Sequence, residues 1–299
     1  MSVSTAAATS TSMSTTPTGT GTSMLGFNNG ALQCWNTRAV SRLQSGDVRN
    51  CMLIIKNELT CVRANLVKIA ADATTGTNGD SSGQEMMMDH QEDPQVVTAG
   101  IRSVPLLPQD EEGEEDEDEA TQKIWECQNN LFSLYPRAFV MDCDDTNEDS
   151  SKADSSTTCY VYLSVLLYNL ALAHHMEAAQ LHKNGRPEYL KSLQNARHLY
   201  KSALEVADSS WSAADLEAQR SLLLALLNNL GFISSHTLDF LETRHCMQMM
   251  CELMDMETAM PCDAHTSVSD KDFELFFTSV FTYMDAPDLN ALLCLAPAA

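Results

Sequence analysis

The chain has 299 residues, 44% of them hydrophobic and 20% charged, with 41 acids against 18 bases and a formal net charge of −23. That length supplies a sizeable core without disulfide or metal staples, and the acidity argues against nucleic acid, whose phosphates are bound by Lys and Arg. No apolar run reaches the roughly 18–20 residues of a membrane helix, and no basic, hydrophobic leader opens the chain, so neither a membrane span nor secretion is expected.

Residues 1–24 carry no charge and are mostly Ser, Thr and Ala, a composition that cannot build a core and predicts a disordered tail. A transit peptide would carry arginine, and no base precedes Arg38. A first helical pair is expected over 25–71. In it Val48, Met52, Ile55, Leu59, Val62, Leu66 and Ile69 recur at spacings of four and three, which puts one apolar stripe on a single helical face. Asp47 is placed to cap its start.

Residues 72–158 hold 22 acids and only 4 bases. Asp110 to Glu119 alone has nine acids in ten positions, which repel one another and bury nothing. This insertion is expected to be mostly disordered, with one ordered piece at 121–141 that packs on the main body as a short helix and an extended stretch. Ile124, Trp125, Leu131, Phe132, Leu134, Tyr135, Phe139 and Val140 mark it out.

Residues 159–299 are expected to form the main helical domain. Its helices run from about Tyr160 to Leu181, Pro187 to Ala207, Ala213 to His236, Asp239 to Thr258 and Asp270 to Met284, with a short one before Pro297. Gly185 and Ser209 to Ser212 break the chain between them. No series of alternating β-branched strands occurs. The expected fold class is all-α: an α-solenoid of antiparallel helix pairs interrupted by a long acidic insertion.

The ten cysteines follow no framework spacing, which points to reduced thiols and a cytoplasmic or nuclear location.

Tyr168-Asn169-Leu170-Ala171-Leu172-Ala173-His174, followed by Ala196, Tyr200 and Ala203, places small residues where two helices approach closely and an aromatic beside them. Asn229-Leu230-Gly231-Phe232-Ile233 repeats the first half. Asn36-Thr37-Arg38-Ala39, with Gly46-Asp47 and Cys51-Met52, is a divergent third copy. These residues resemble the tetratricopeptide repeat over roughly half of the chain. The chain is also similar as a whole to a group of tetratricopeptide-like proteins that open near Phe-Asn-Asn-Gly-Ala and end near Ala-Pro-Ala-Ala. One pair departs from the usual unit: Ala171 and Ala196 are 25 apart, where about 12 is usual for this repeat.

The resemblance implies stacked pairs whose first helices line a concave wall. Tyr168, Leu172, His175, Met176, Asn228, Phe232, Ser235 and His236 would be exposed on it to a protein or peptide partner. The expected protein is a non-enzymatic scaffold without a cofactor. Tetratricopeptide domains that clamp a terminal carboxylate use Lys, Arg and Asn on that wall. These positions lack Lys and Arg, so an amphipathic helix or extended peptide is the expected ligand. The alternative is that the piece at 121–141 covers this wall, which then binds nothing.

Two other chemistries compete with this reading. Phe139 to Thr146 fits the hydrophobic-strand-then-DxDxT pattern of haloacid-dehalogenase-like phosphatases, in which Asp142 would attack phosphorus and Asp144 would act as general acid/base. That site needs a parallel sheet, whereas Thr146 leads into a polar, acidic stretch and then a helix. His245, Cys246, Met247, Met249, Met250, Cys251, Met254, Met256, Met260, Cys262 and His265 would together suit Cu(I) or zinc. Cys246 and Cys251 fall on different helix faces, however, and Met and reduced Cys are ordinary core residues. His174, His175 and His182 read as packing histidines. Gly79 to Gly83 has the letters of a serine nucleophile elbow without the strand and helix that would strain it.

Overall fold

A computed structural model of the chain describes residues 29–75, 101–106, 132–141, 155–211, 219–258 and 270–284. Among these are seven helices and one two-stranded sheet: α1 (Asn29–Gln44), α2 (Val48–Thr75), β1 (Ile101–Pro105), β2 (Arg137–Met141), α3 (Ser155–Lys183), α4 (Tyr189–Ser210), α5 (Arg220–His236), α6 (Phe240–Thr258) and α7 (Asp270–Met284). The described residues are mostly helical, and the all-α expectation is corrected by the antiparallel pair β1–β2. The expected N-terminal tail, the acidic run at 110–119 and the helix before Pro297 lie outside the described residues, as does the helical part of 121–141.

Each helix packs on the next one along the chain, from α1 on α2 through to α6 on α7, and α7 also touches α5. Three short turns join α1 to α2, α3 to α4 and α5 to α6, and they are built alike. At the first, Gly46 N–H donates to Leu43 O (3.0 Å) and Asp47 N–H to Arg42 O (2.9 Å). The second repeats it with Gly185 to His182 and Arg186 to Leu181, both 2.9 Å, and the third with Leu238 to Ser235 (3.2 Å) and Asp239 to Ser234 (2.8 Å). Each turn needs one residue in the left-handed region, where φ is +75° at Gly46, +64° at Gly185 and +60° at Leu238. This paired bonding satisfies the last carbonyls of the helix and reverses the chain within three residues.

Close packing follows from side-chain size. Ala171, Ala196 and Ala203 are wholly buried with Tyr200, so small residues let the helices approach while one aromatic fills the gap. A charged clamp adds direction at the rim. Arg197 on α4 bonds to Asp239 and Glu242 at the start of α6, and Lys201 Nζ lies 2.6 Å from the same Glu242 carboxylate.

Candidate functional site: a groove that holds an extended strand

Side chains alternate across a strand, and backbone N–H and C=O groups alternate between its two edges. In β2 and the residues before it, one edge faces β1. The register pairs Ile101 with Met141 and Pro105 with Arg137, and Leu106 N–H continues the ladder to Pro136 O at 3.2 Å. The other edge, carried by residues 135, 137 and 139, would present unpaired amide groups to the helices. Buried amides of that kind must find partners, and asparagine side chains and one tyrosine supply them.

Asn229 on α5 accepts from Tyr135 N–H at 2.8 Å and donates to Tyr135 O at 3.2 Å. Asn169 on α3 does the same for Phe139, accepting from its N–H at 3.0 Å and donating to its carbonyl at 2.7 Å. Asn36 on α1 donates to that carbonyl as well, at 3.1 Å, and accepts from Asn169 at 3.0 Å. Between the two clamps, Tyr168 O–H donates to Arg137 O at 3.0 Å. Further along, Asn228 donates to Ser133 O at 2.7 Å and accepts from Ser279 O–H at 3.3 Å. All of these asparagines are buried. An amide side chain offers one acceptor and two donors, so a row of asparagines can act as a third strand without being one.

Side chains of the strand fill matching places. The Phe132 ring lies over Gly231, where an added Cβ would come within 2.4–2.8 Å of its ring atoms. Tyr135 packs on Phe276 of α7 with ring centroids 4.9 Å apart, and Phe139 meets Tyr168 edge-on at 5.0 Å. Arg137 lies 3.5 Å from the Asp272 carboxylate and donates to Ser103 Oγ at 3.1 Å. Asp272, Phe276 and Ser279 recur at spacings of four and three, so one stripe of α7 closes over the strand.

The eight residues expected on an open wall are distributed differently. Tyr168 and Asn228 touch the strand, but both are fully buried by it. Leu172, His175 and Phe232 are core residues, with His175 packed between Tyr200 and Phe232 at 6.2 and 5.2 Å. Burial and the nearby His236 push the His175 imidazole down to about 3, so it stays neutral. Met176, Ser235 and His236 are half-buried. The expected exposure is therefore corrected: Tyr168 and Asn228 are buried against residues 132–141, and Leu172, His175 and Phe232 lie in the core. Asn36, Asn169 and Asn229 stand inside the repeat-like motifs but carry no signal of their own in the sequence, because a buried asparagine is recognised only by the amides it faces.

The competing chemistries can be placed in part. β2 is the hydrophobic strand before Asp142, but it pairs antiparallel in a two-stranded sheet, not in the parallel sheet the phosphatase reading requires. Asp142 to Thr146 lie outside the described residues, as do Gly79 to Gly83. In the soft cluster Cys246, Met247, Met250 and Met254 point into the core, while His245 is exposed. No group of three His, Cys, Asp or Glu converges among the described residues; Met260, Cys262 and His265 lie outside them. No described helix is long and apolar enough to cross a membrane. A depression of about 590 Å³ is lined by Cys34, Thr37, Arg38, Ser41 and Arg42 of α1 and by Ser45 just past its end. No protein-family model, curated protein or solved structure matches the chain.

Proposed function

We propose that the chain is a non-enzymatic interaction scaffold, a tetratricopeptide-like solenoid whose first helices recognise a peptide in extended conformation by its main chain. The observation that carries this reading is the pair of two-point contacts from Asn229 and Asn169 to residues 135 and 139. Recognition of an extended chain by side chains that mimic a neighbouring strand is independent of ligand sequence at those points and needs only a free edge. Each such contact contributes about 1 kcal/mol, and a buried amide left unmet would cost about 1–3 kcal/mol, so the wall strongly prefers to be filled. In the isolated chain residues 132–141 fill it.

The reading is tested by panning displayed peptides against the full chain and following the side-chain amide resonances of Asn36, Asn169 and Asn229. Hits that move those resonances support it. Hits that bind and leave them unmoved place recognition elsewhere on the molecule and sink the groove reading.

A further inference from the structure

The strand in the groove is held by more than its amides, and the additional contacts have an order along the sequence. Phe132 occupies the space that Gly231 leaves by having no Cβ. Tyr135, three residues on, packs at a tilt against Phe276. Arg137 reaches the buried Asp272, and Phe139 meets Tyr168. Pro136 needs no partner for an N–H it lacks, and its fixed φ favours the extended form. Ser133 is exposed and is bound through its carbonyl alone.

We propose that the groove is selective, and that its ligands are peptides with the pattern Phe-x-x-Tyr-x-Arg-x-Phe, of which Phe132 to Phe139 is the resident copy. This rests on the reading of the wall as a peptide site and adds which peptide it takes. Three aromatic places and one acidic place fix the register, because a shift by one residue would carry every side chain to the opposite face of the strand. A shift by two keeps the faces but removes Arg from Asp272 and an aromatic from the Gly231 gap. Asp272 is buried and accepts from Ser103 Oγ at 3.3 Å as well as facing Arg137, so a basic residue at this place is favoured because it offers a positive charge to a buried carboxylate. A partner bearing this pattern competes with a segment already tethered in place, so the tether sets a threshold that only a close match at sufficient concentration can exceed.

The test uses a fluorescent ten-residue peptide with the sequence of residues 132–141, read by anisotropy against two forms of the full chain. One carries Arg137→Ala, which loosens the resident strand at its half-buried contact. The other carries protease sites inserted within 107–131 and 142–154 and is cut after purification, so that the resident strand is no longer covalently tethered. The expected result is saturable binding in both forms. Alanine in place of Phe132, Tyr135, Arg137 or Phe139 in the peptide is expected to weaken binding by about tenfold or more, and alanine for Ser133 to leave it unchanged. Equal binding of all these peptides would overturn the selectivity and leave the main-chain reading standing. Failure of the parent peptide to bind either form would overturn both.

Discussion

Single residues expose where this fold is under tension. Leu238 takes the left-handed conformation that Gly46 and Gly185 take at the two equivalent turns, and its side chain is 70% exposed. It suffers the conformational cost with no packing in return. Leu238→Gly is therefore expected to stabilise the chain by about 0.5–1 kcal/mol, seen as a higher midpoint in urea. Glu58 on α2 is a second case. It is 4% exposed, and neither carboxylate oxygen has a hydrogen-bond partner among the described residues. Burial pushes its carboxyl up to about 8 from an ordinary 4.5. The folded state therefore binds a proton that the unfolded chain has released, so the stability present below pH 4.5 is lost as pH rises towards 8. Glu58→Leu should remove that fall and raise stability at mildly alkaline pH by on the order of 3 kcal/mol, with little gain in acid. An unchanged pH profile of urea unfolding would show that Glu58 is not the group responsible. His175 acts with the opposite sign: it stays neutral to about 3, so it lowers stability as pH falls below 6.5.

Elements were legible where periodicity is long. The four-three stripe from Val48 to Ile69 lies on α2, and the expected bounds Asp270 to Met284 are those of α7. β1 escaped notice because five residues carry no usable period and its partner begins more than thirty positions away. β2 was foreshadowed by Phe139 and Val140, yet apolar residues alone did not say that the stretch would lie against Asn169. The eight residues expected to be exposed are buried or half-buried, because a first helix facing inward reads the same whether solvent or its own chain lies opposite. Gly231 ties element to site. Ala is ordinarily the better helix residue by about 1 kcal/mol, but here its methyl would drive Phe132 from its place. Gly231→Ala is expected to cost about 1–3 kcal/mol, and to become neutral or favourable once Phe132→Ala has emptied the space. A double-mutant cycle by urea unfolding would measure that coupling, and purely additive effects would contradict the packing described.

At the scale of the whole molecule, charge and core are separate in sequence. The ten acids between residues 107 and 131 belong to the connection from β1 to Phe132, and the described core is drawn from either side of it. Replacing residues 108–130 with a neutral linker of about ten residues should keep the helical spectrum and add about 0.6 kcal/mol from the shorter closure. The same change should flatten the rise of stability with added salt, because self-repulsion at a net charge of −23 is what salt screens. Loss of folded structure in that variant would show that the connection is part of the core. Asn229 lies 94 residues after the Tyr135 amide it receives. At a synthesis rate of about 5–20 residues per second, the main chain at Tyr135 leaves the ribosome roughly 5–20 s before the helix that meets it exists. For that interval the nascent chain carries an open strand edge, the feature by which chains pair with one another and aggregate. The acids just upstream, between residues 107 and 131, are of the kind that keep such edges apart.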